Sequence, residues 1–308
     1  MTLLHQDASA RTVEYATRLV FGLWFVKLAL DPLPQLAALP ASIYNPVGFL
    51  SPLPKAVTLL MLSGPFLWGL KWLALLAVGL VLLGRLRQPA ALVACPLLTL
   101  QMGIARGFAG HIHHPEMVLL MAVYWLALCP VMDRLAARPS RGHRPSPNVH
   151  AGLSSVPIVG ILLSLCCAYA CVGVTRLVHG GLEVFTSDSM TFWALRNAYH
   201  VFQPTWGWGK LVLEQPWLRV LLNAGFPVVT VFEVLAPLCL FSRWFRRLFL
   251  LVIGSFHLVS WFVLDVFFWE NLLLLTLLLD QLPQYVRFAQ TAFEHARLRM
   301  LAHLPGRS

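Results

Sequence analysis

The chain alternates long apolar runs with short polar segments, and most of the runs are long enough to cross a bilayer as α-helices. Charged residues are scarce inside these runs and collect between them. The pattern therefore predicts an all-α, multi-pass integral membrane bundle of about eight transmembrane helices. The predicted helices cover residues 14–30, 56–83, 89–108, 115–133, 155–178, 217–241, 246–264 and 266–282.

The basic residues lie mainly at alternate helix boundaries, for example at Arg85, Arg134 and Arg243. Because Lys and Arg are retained in cytoplasmic loops, this alternation predicts that both termini are cytoplasmic. Residues 137–154, rich in Pro, Ser and Arg, are predicted to be a cytoplasmic linker. Residues 284–308 are predicted to be a cytoplasmic tail, either an amphipathic helix on the membrane surface or a plain extension.

The composition excludes an ordinary water-soluble domain. Hydrophobic residues make up 58% of the 308 residues and charged residues only 12%, against roughly 25% charged residues in soluble domains. The net charge of +10 does not indicate nucleic-acid binding, because the basic residues are divided among short segments between helices. We therefore expect one transmembrane domain over residues 1–308, in a cell inner or plasma membrane, with membrane lipid as its partner.

The opposite boundaries are predicted to face the outside and carry the unusual polar content, at residues 31–55, 107–116 and 176–219. The second of these contains His111, His113 and His114 just before Pro115. Three imidazoles could bind a metal ion, exchange protons, or form a solvated cap at the start of a helix. The spacing does not choose among these interpretations.

Glu233 and His257 are ionisable residues that lie about midway along apolar runs. Such groups are costly in a membrane unless they are paired or neutral, so they are functional candidates. The structural alternative is a mutual hydrogen bond that holds the sixth and seventh helices together. Lys27 is predicted to extend past Asp31 toward the interface, whereas Lys71 has no evident partner.

A stretch over residues 231–275 resembles the HTTM family, which includes the membrane region of vitamin K-dependent gamma-carboxylase. The shared pattern is a Glu-led helix, an Arg-rich turn, and then Phe-His followed by an aromatic pair. Two shorter pieces, residues 110–120 and 171–185, are similar to further family segments. The matching residues of the main stretch are Glu233, Arg243, Arg246, Arg247, Phe256, His257, Phe267 and Phe268.

The resemblance implies a lipid-accessible cavity that opens to the outer face, lined by His114, Arg176, Glu233 and His257. It implies a catalytic role for these residues and a quinone cofactor held by Arg176 and His257. Arg176 stands where the carboxylase has the lysine that acts as its base. Since arginine cannot act as a base at neutral pH, the resemblance does not extend to glutamate carboxylation.

Three functions follow as hypotheses. The first is a membrane enzyme that acts on a quinone or another lipid-soluble substrate, and the second is a non-catalytic protein that binds lipid or a partner. A transporter is disfavoured because the chain shows no internal repeat with matching broken helices.

Overall fold

The computed structural model describes residues 10–109, 114–136, 156–186, 188–198, 208–264 and 268–278. Within these ranges the chain is helical and forms no β-strand, in agreement with the predicted all-α class. The α-helices, numbered in chain order, are α1 (Ala10–Leu30), α2 (Lys55–Met61), α3 (Gly64–Leu82), α4 (Arg87–Ala109), α5 (His114–Ala136), α6 (Val156–Gly180), α7 (Glu183–Thr186), α8 (Ser189–Ala198), α9 (Trp208–Glu214), α10 (Pro216–Val234), α11 (Arg243–Leu264) and α12 (Trp269–Leu275).

Six helical segments in the described part of the chain are long and apolar enough to cross a membrane. A shorter apolar stretch, Glu116–Val131, lies within α5. Large apolar side chains such as Trp68 and Trp72 are exposed on the outside of the bundle, as lipid contact allows. These helices are compatible with a multi-pass membrane protein. The six segments are Thr12–Ala38, Gly64–Leu82, Arg87–Phe108, Val156–Gly180, Pro216–Val234 and Arg243–Leu264.

The single helix predicted over residues 56–83 is two helices, α2 and α3. The chain breaks at Ser63, whose backbone is extended (φ −70°, ψ 143°). Pro65 then stands in the first turn of α3, where its missing N–H needs no partner. The break was not predicted from hydropathy, because serine and proline interrupt the apolar run at only a few positions.

The helix predicted over residues 217–241 is also shorter than expected. It ends at Val234, and Ala236–Leu240 form a 3-10 turn instead. Pro237 explains the end of the helix, because its ring removes a backbone donor and disfavours continuation of the preceding turns.

The last predicted helix, 266–282, is described only in part. Trp269–Leu275 are α-helical and Thr276–Leu278 form a 3-10 turn. The predicted linker 137–154 and tail 284–308 lie outside the described residues.

The segments predicted to be external contain helical structure of their own. Residues 176–219 include α7, α8 and α9. The side-chain oxygen of Asn223 accepts the backbone N–H of Thr191 at 3.2 Å, and its amide donates to Asp188 at 2.5 Å, so that α8 is fixed to α10. Residues 31–55 form three 3-10 turns, Leu33–Ala38, Ala41–Ile43 and Gly48–Leu50.

Helix α6 is central to the bundle because it packs closely against both α5 and α10. At its contact with α5, a Cβ on Gly160 would lie only 2.2 Å from the ring of Trp125. The Trp125 indole N–H donates to the Ser164 hydroxyl at 2.9 Å across the same contact. This contact holds α6 in place and so positions Tyr169 and Arg176 farther along it.

Candidate functional site

The candidate site begins where α6 and α10 approach each other at Gly173. A Cβ at this position would lie 2.7 Å from the backbone nitrogen of Val234 and 2.9 Å from the Cβ of Glu233. Such distances are too short for any residue larger than glycine without movement of the backbone. The close approach brings Arg176, three residues after Gly173, to the Glu233 carboxylate.

Arg176 and Glu233 form an ion pair with Nη1 and Oε2 2.6 Å apart. The Glu233 side chain is 3% exposed and that of Arg176 is 28% exposed, so the carboxylate is enclosed while the guanidinium borders open space. The Arg176 guanidinium also lies 5.0 Å from the ring centre of Phe226 and 5.9 Å from that of Phe256. These contacts fix the cation at the edge of a cavity.

His257 lies beside this pair and hydrogen-bonds Tyr169 rather than Glu233. The Tyr169 hydroxyl and His257 Nε2 are 2.7 Å apart, and both residues are buried. If the hydroxyl donates, the imidazole carries its proton on Nδ1, and if Nε2 donates, Nδ1 is free to accept. His257 Nδ1 has no hydrogen-bond partner among the described residues. The pair can therefore offer either a donor or an acceptor at Nδ1.

Two adjoining cavities meet at Arg176, which lines both together with Phe256 and Phe268. The smaller cavity has a volume of about 120 Å³, and its lining includes Glu233 and His257. The larger one, of about 710 Å³, is within the size range of small-molecule sites. Together they form a largely apolar space with a few polar groups at the arginine.

Buried polar atoms without partners collect around these cavities. Besides His257 Nδ1, the described part of the chain leaves Asn271 Oδ1 and Ser260 Oγ without a hydrogen bond. Asn271 lines the smaller cavity and Ser260 the larger, and both residues are buried. Since buried polar groups are nearly always paired, three unpaired atoms at one place indicate a site for a polar ligand group.

A third space, an apolar groove of about 690 Å³, adjoins the larger cavity. Met190, Phe226 and Phe256 line both. The rest of the groove is almost wholly hydrophobic, with Trp217 and Leu221 among its lining residues. The polar site is therefore continuous with a surface suited to a hydrocarbon chain.

The structure brings Arg176, Glu233 and His257 together around one space. It corrects the predicted bond between Glu233 and His257, because each of the two pairs with a residue of α6 instead. His114 begins α5, but its side chain, together with His111 and His113, lies outside the described set. Among the described residues, no group of His, Cys, Asp and Glu is arranged to hold a metal ion.

Tyr169, Ser260 and Asn271 also belong to the site but were not predicted from the sequence. Ser260 and Tyr169 stand in apolar runs as ordinary helix residues, and no spacing rule connects either to His257. Asn271 carried a usable signal, because an amide at the start of the run ENLLLL is costly in a membrane without a partner.

The contacts of Lys27 differ from those predicted. It does not extend past Asp31 but forms ion pairs with Glu116 of α5 and Glu270 of α12. Lys71 donates to the backbone carbonyl of Asp31 at 2.6 Å. The sequence does not predict that Lys27 pairs with Glu116 and Glu270, because each of the two is an isolated acid at a helix start.

Comparison with known proteins found no matching family model, no matching curated protein and no matching solved structure. The resemblance to the HTTM family therefore stays a prediction.

Proposed function

We propose that this HTTM-like membrane protein binds a quinone or another lipid-soluble molecule in the cavities at Arg176 and exchanges protons with it. The observation that carries the proposal is the convergence of Arg176 with three unpaired buried polar atoms beside an apolar groove. Such a site suits a molecule with an oxygen-bearing head and a hydrocarbon tail.

Arg176 is suited to hold the head of the ligand. Its guanidinium has five N–H donors, of which Nη1 serves Glu233, so others remain for a carbonyl or anionic oxygen. Its permanent charge makes it a binding group rather than a base, which again disfavours glutamate carboxylation. His257 exchanges the proton with the ligand, and the Tyr169 hydroxyl, which is hydrogen-bonded to His257 Nε2, is its second partner.

The proposed topology has eight transmembrane helices, both termini in the cytoplasm, and the cavity open to the outer face. The alternation of basic boundaries supports this orientation. Arg176 supports it too, because it lies near the end of α6 that leads into the predicted external segment.

Reduced quinone added to purified protein tests the catalytic part of the proposal. We expect binding accompanied by proton exchange with the medium in the wild type, loss of binding in Arg176→Gln, and binding without that proton exchange in His257→Phe. Arg196→Ala is the matched control, because Arg196 also stacks on an aromatic ring, 4.8 Å from that of Trp193, but is not part of the cavity lining. Equal binding in wild type and Arg176→Gln would refute the proposal.

The second candidate is binding without reaction, of lipid or a partner, through the external helices. Phe192 and Trp193 of α8 favour it, since they are 61% and 45% exposed. In that case the wild type would bind the ligand without proton exchange, and His257→Phe would bind it in the same way.

A further inference from the structure

A second polar cavity, of about 380 Å³, lies apart from the one at Arg176. It is enclosed by the end of α1, the end of α4, the first turn of α5 and the start of α12. Neither the sequence pattern nor the proposed function assigns it a role. Its main lining residues are Lys27, Asp31, Gln101, Arg106, Glu116 and Trp269.

The donors on one side of this cavity are partly used. Arg106 Nε donates to Glu116 Oε2 at 2.6 Å, and Arg106 Nη2 contacts the other carboxylate oxygen. The Lys27 ammonium forms ion pairs with both Glu116, at 3.3 Å, and Glu270. The guanidinium has further N–H groups beyond these, so Arg106 can still bind an anionic oxygen.

The other side offers acceptors. The Gln101 amide nitrogen donates to Asp31 Oδ2 at 2.8 Å, which turns the amide oxygen away from Asp31. Gln101 is 3% exposed, and its Oε1 has no hydrogen-bond partner in the described part of the chain. A buried amide oxygen that accepts no hydrogen bond costs folding free energy. An N–H or O–H group of a ligand would satisfy this oxygen.

The charges around the cavity balance. Counting formal charges of the described side chains at and next to the cavity, three are positive and three are negative. A ligand with a net charge would leave one charge uncompensated in a poorly solvated space, whereas a zwitterion keeps the balance. The six charged residues are Lys27, Lys71 and Arg106 with Asp31, Glu116 and Glu270.

We propose that this cavity binds a phosphoethanolamine group. The ammonium donates to Gln101 Oε1 and Asp31, and the phosphate accepts from Arg106. A primary ammonium is required because a trimethylammonium has no N–H to give the buried amide oxygen. The group can come from a lipid headgroup or from a soluble molecule, and the two sources share this chemistry. The inference is independent of the function proposed for the cavity at Arg176.

The test is competition between two lipids for purified protein in mixed micelles, read by native mass spectrometry. With equal amounts of phosphatidylethanolamine and phosphatidylcholine, we expect the wild type to retain the former in about tenfold excess, the ratio that one charge-assisted hydrogen bond provides. Gln101→Leu should bring the ratio close to one, because it removes the acceptor for the primary ammonium. Arg106→Gln should lower the retention of both lipids, because both carry the phosphate.

Arg87→Gln is the matched control, because Arg87 pairs with Glu14 where the opposite ends of α1 and α4 meet. It should keep the wild-type ratio. Soluble glycerophosphoethanolamine, a zwitterionic phosphodiester like the lipid headgroup, distinguishes the sources. Displacement of the lipid at millimolar concentration indicates a soluble ligand, and no displacement indicates the headgroup. Equal retention of both lipids by the wild type would overturn the proposal without any variant. A wild-type ratio in Gln101→Leu, or undiminished retention of both lipids in Arg106→Gln, would overturn it as well.

Discussion

Arg176 and Glu233 are 57 positions apart in the chain, and their contact depends on a third residue, Gly173. Gly173 lets the backbones of α6 and α10 come close enough for the guanidinium to reach the carboxylate. The ion pair leaves Arg176 partly open to the cavity while it neutralises a buried Glu233. At the scale of single residues, the site is therefore made by one small residue and one compensated charge.

Gly173→Ala should separate α6 from α10. Its Cβ would meet the Val234 backbone, which cannot rotate away, so we expect a loss of about 1–3 kcal/mol in the free energy of unfolding. Chemical denaturation in micelles measures it. Gly254→Ala, on α11 with nothing near its Cβ position, is the control and should stabilise the helix slightly. Equal stability of the two variants would contradict the close approach.

Arg176→Met should cost about 3–5 kcal/mol of stability, because it leaves the Glu233 carboxylate buried without its counter-charge. The double variant Arg176→Met/Glu233→Gln removes both charges and should recover much of that loss. The same denaturation experiment tests both. If the single variant is as stable as the double one, Glu233 does not depend on Arg176.

At the scale of elements, the long apolar helices were predictable and their interruptions less so. The helices α4, α5, α6 and α11 match the predicted runs within a few residues. The breaks at Ser63 and Val234 depend on prolines whose effect varies with their place in a helix turn. The positions of α7, α8 and α9 follow from tertiary contacts, which hydropathy does not record.

Helix α8 should depend on Asn223, which bonds both Asp188 and Thr191. Asn223→Ala should release it from α10, and hydrogen exchange of residues 188–198 should become faster by about tenfold or more, as expected when such bonds are lost. Arg219→Ala is the control, because Arg219 is exposed and lies on α10, the helix that carries Asn223. Unchanged exchange in Asn223→Ala would show that packing alone holds α8.

In the whole molecule, the sequence named candidate residues, and the structure shows which of them lie together and what they contact. Glu233 and His257 were found because charge is rare inside apolar runs. Arg176 was found through the family resemblance, and its partner could not be inferred, because contacts between distant helices leave no spacing pattern. The same limit hid the ion pairs of Lys27 with Glu116 and Glu270.

The proposed topology predicts opposite labelling of two engineered cysteines in intact cells. In a background without native cysteines, Ser51→Cys should react with an impermeant maleimide from outside, because residues 31–55 are proposed to be external. Arg85→Cys should react only after the membrane is permeabilised. Both positions are exposed, so access differs only by side. The reverse pattern would invert the proposed orientation.

The central claim is that the cavities at Arg176 hold a lipid-soluble ligand, and native mass spectrometry of protein purified in mild detergent tests it most directly. We expect a bound species of defined mass in the wild type and in Arg196→Ala. We expect its loss in Arg176→Met/Glu233→Gln, which removes the ion pair without leaving a buried charge. Retention of the same species by the double variant at the wild-type level would contradict the proposed ligand site.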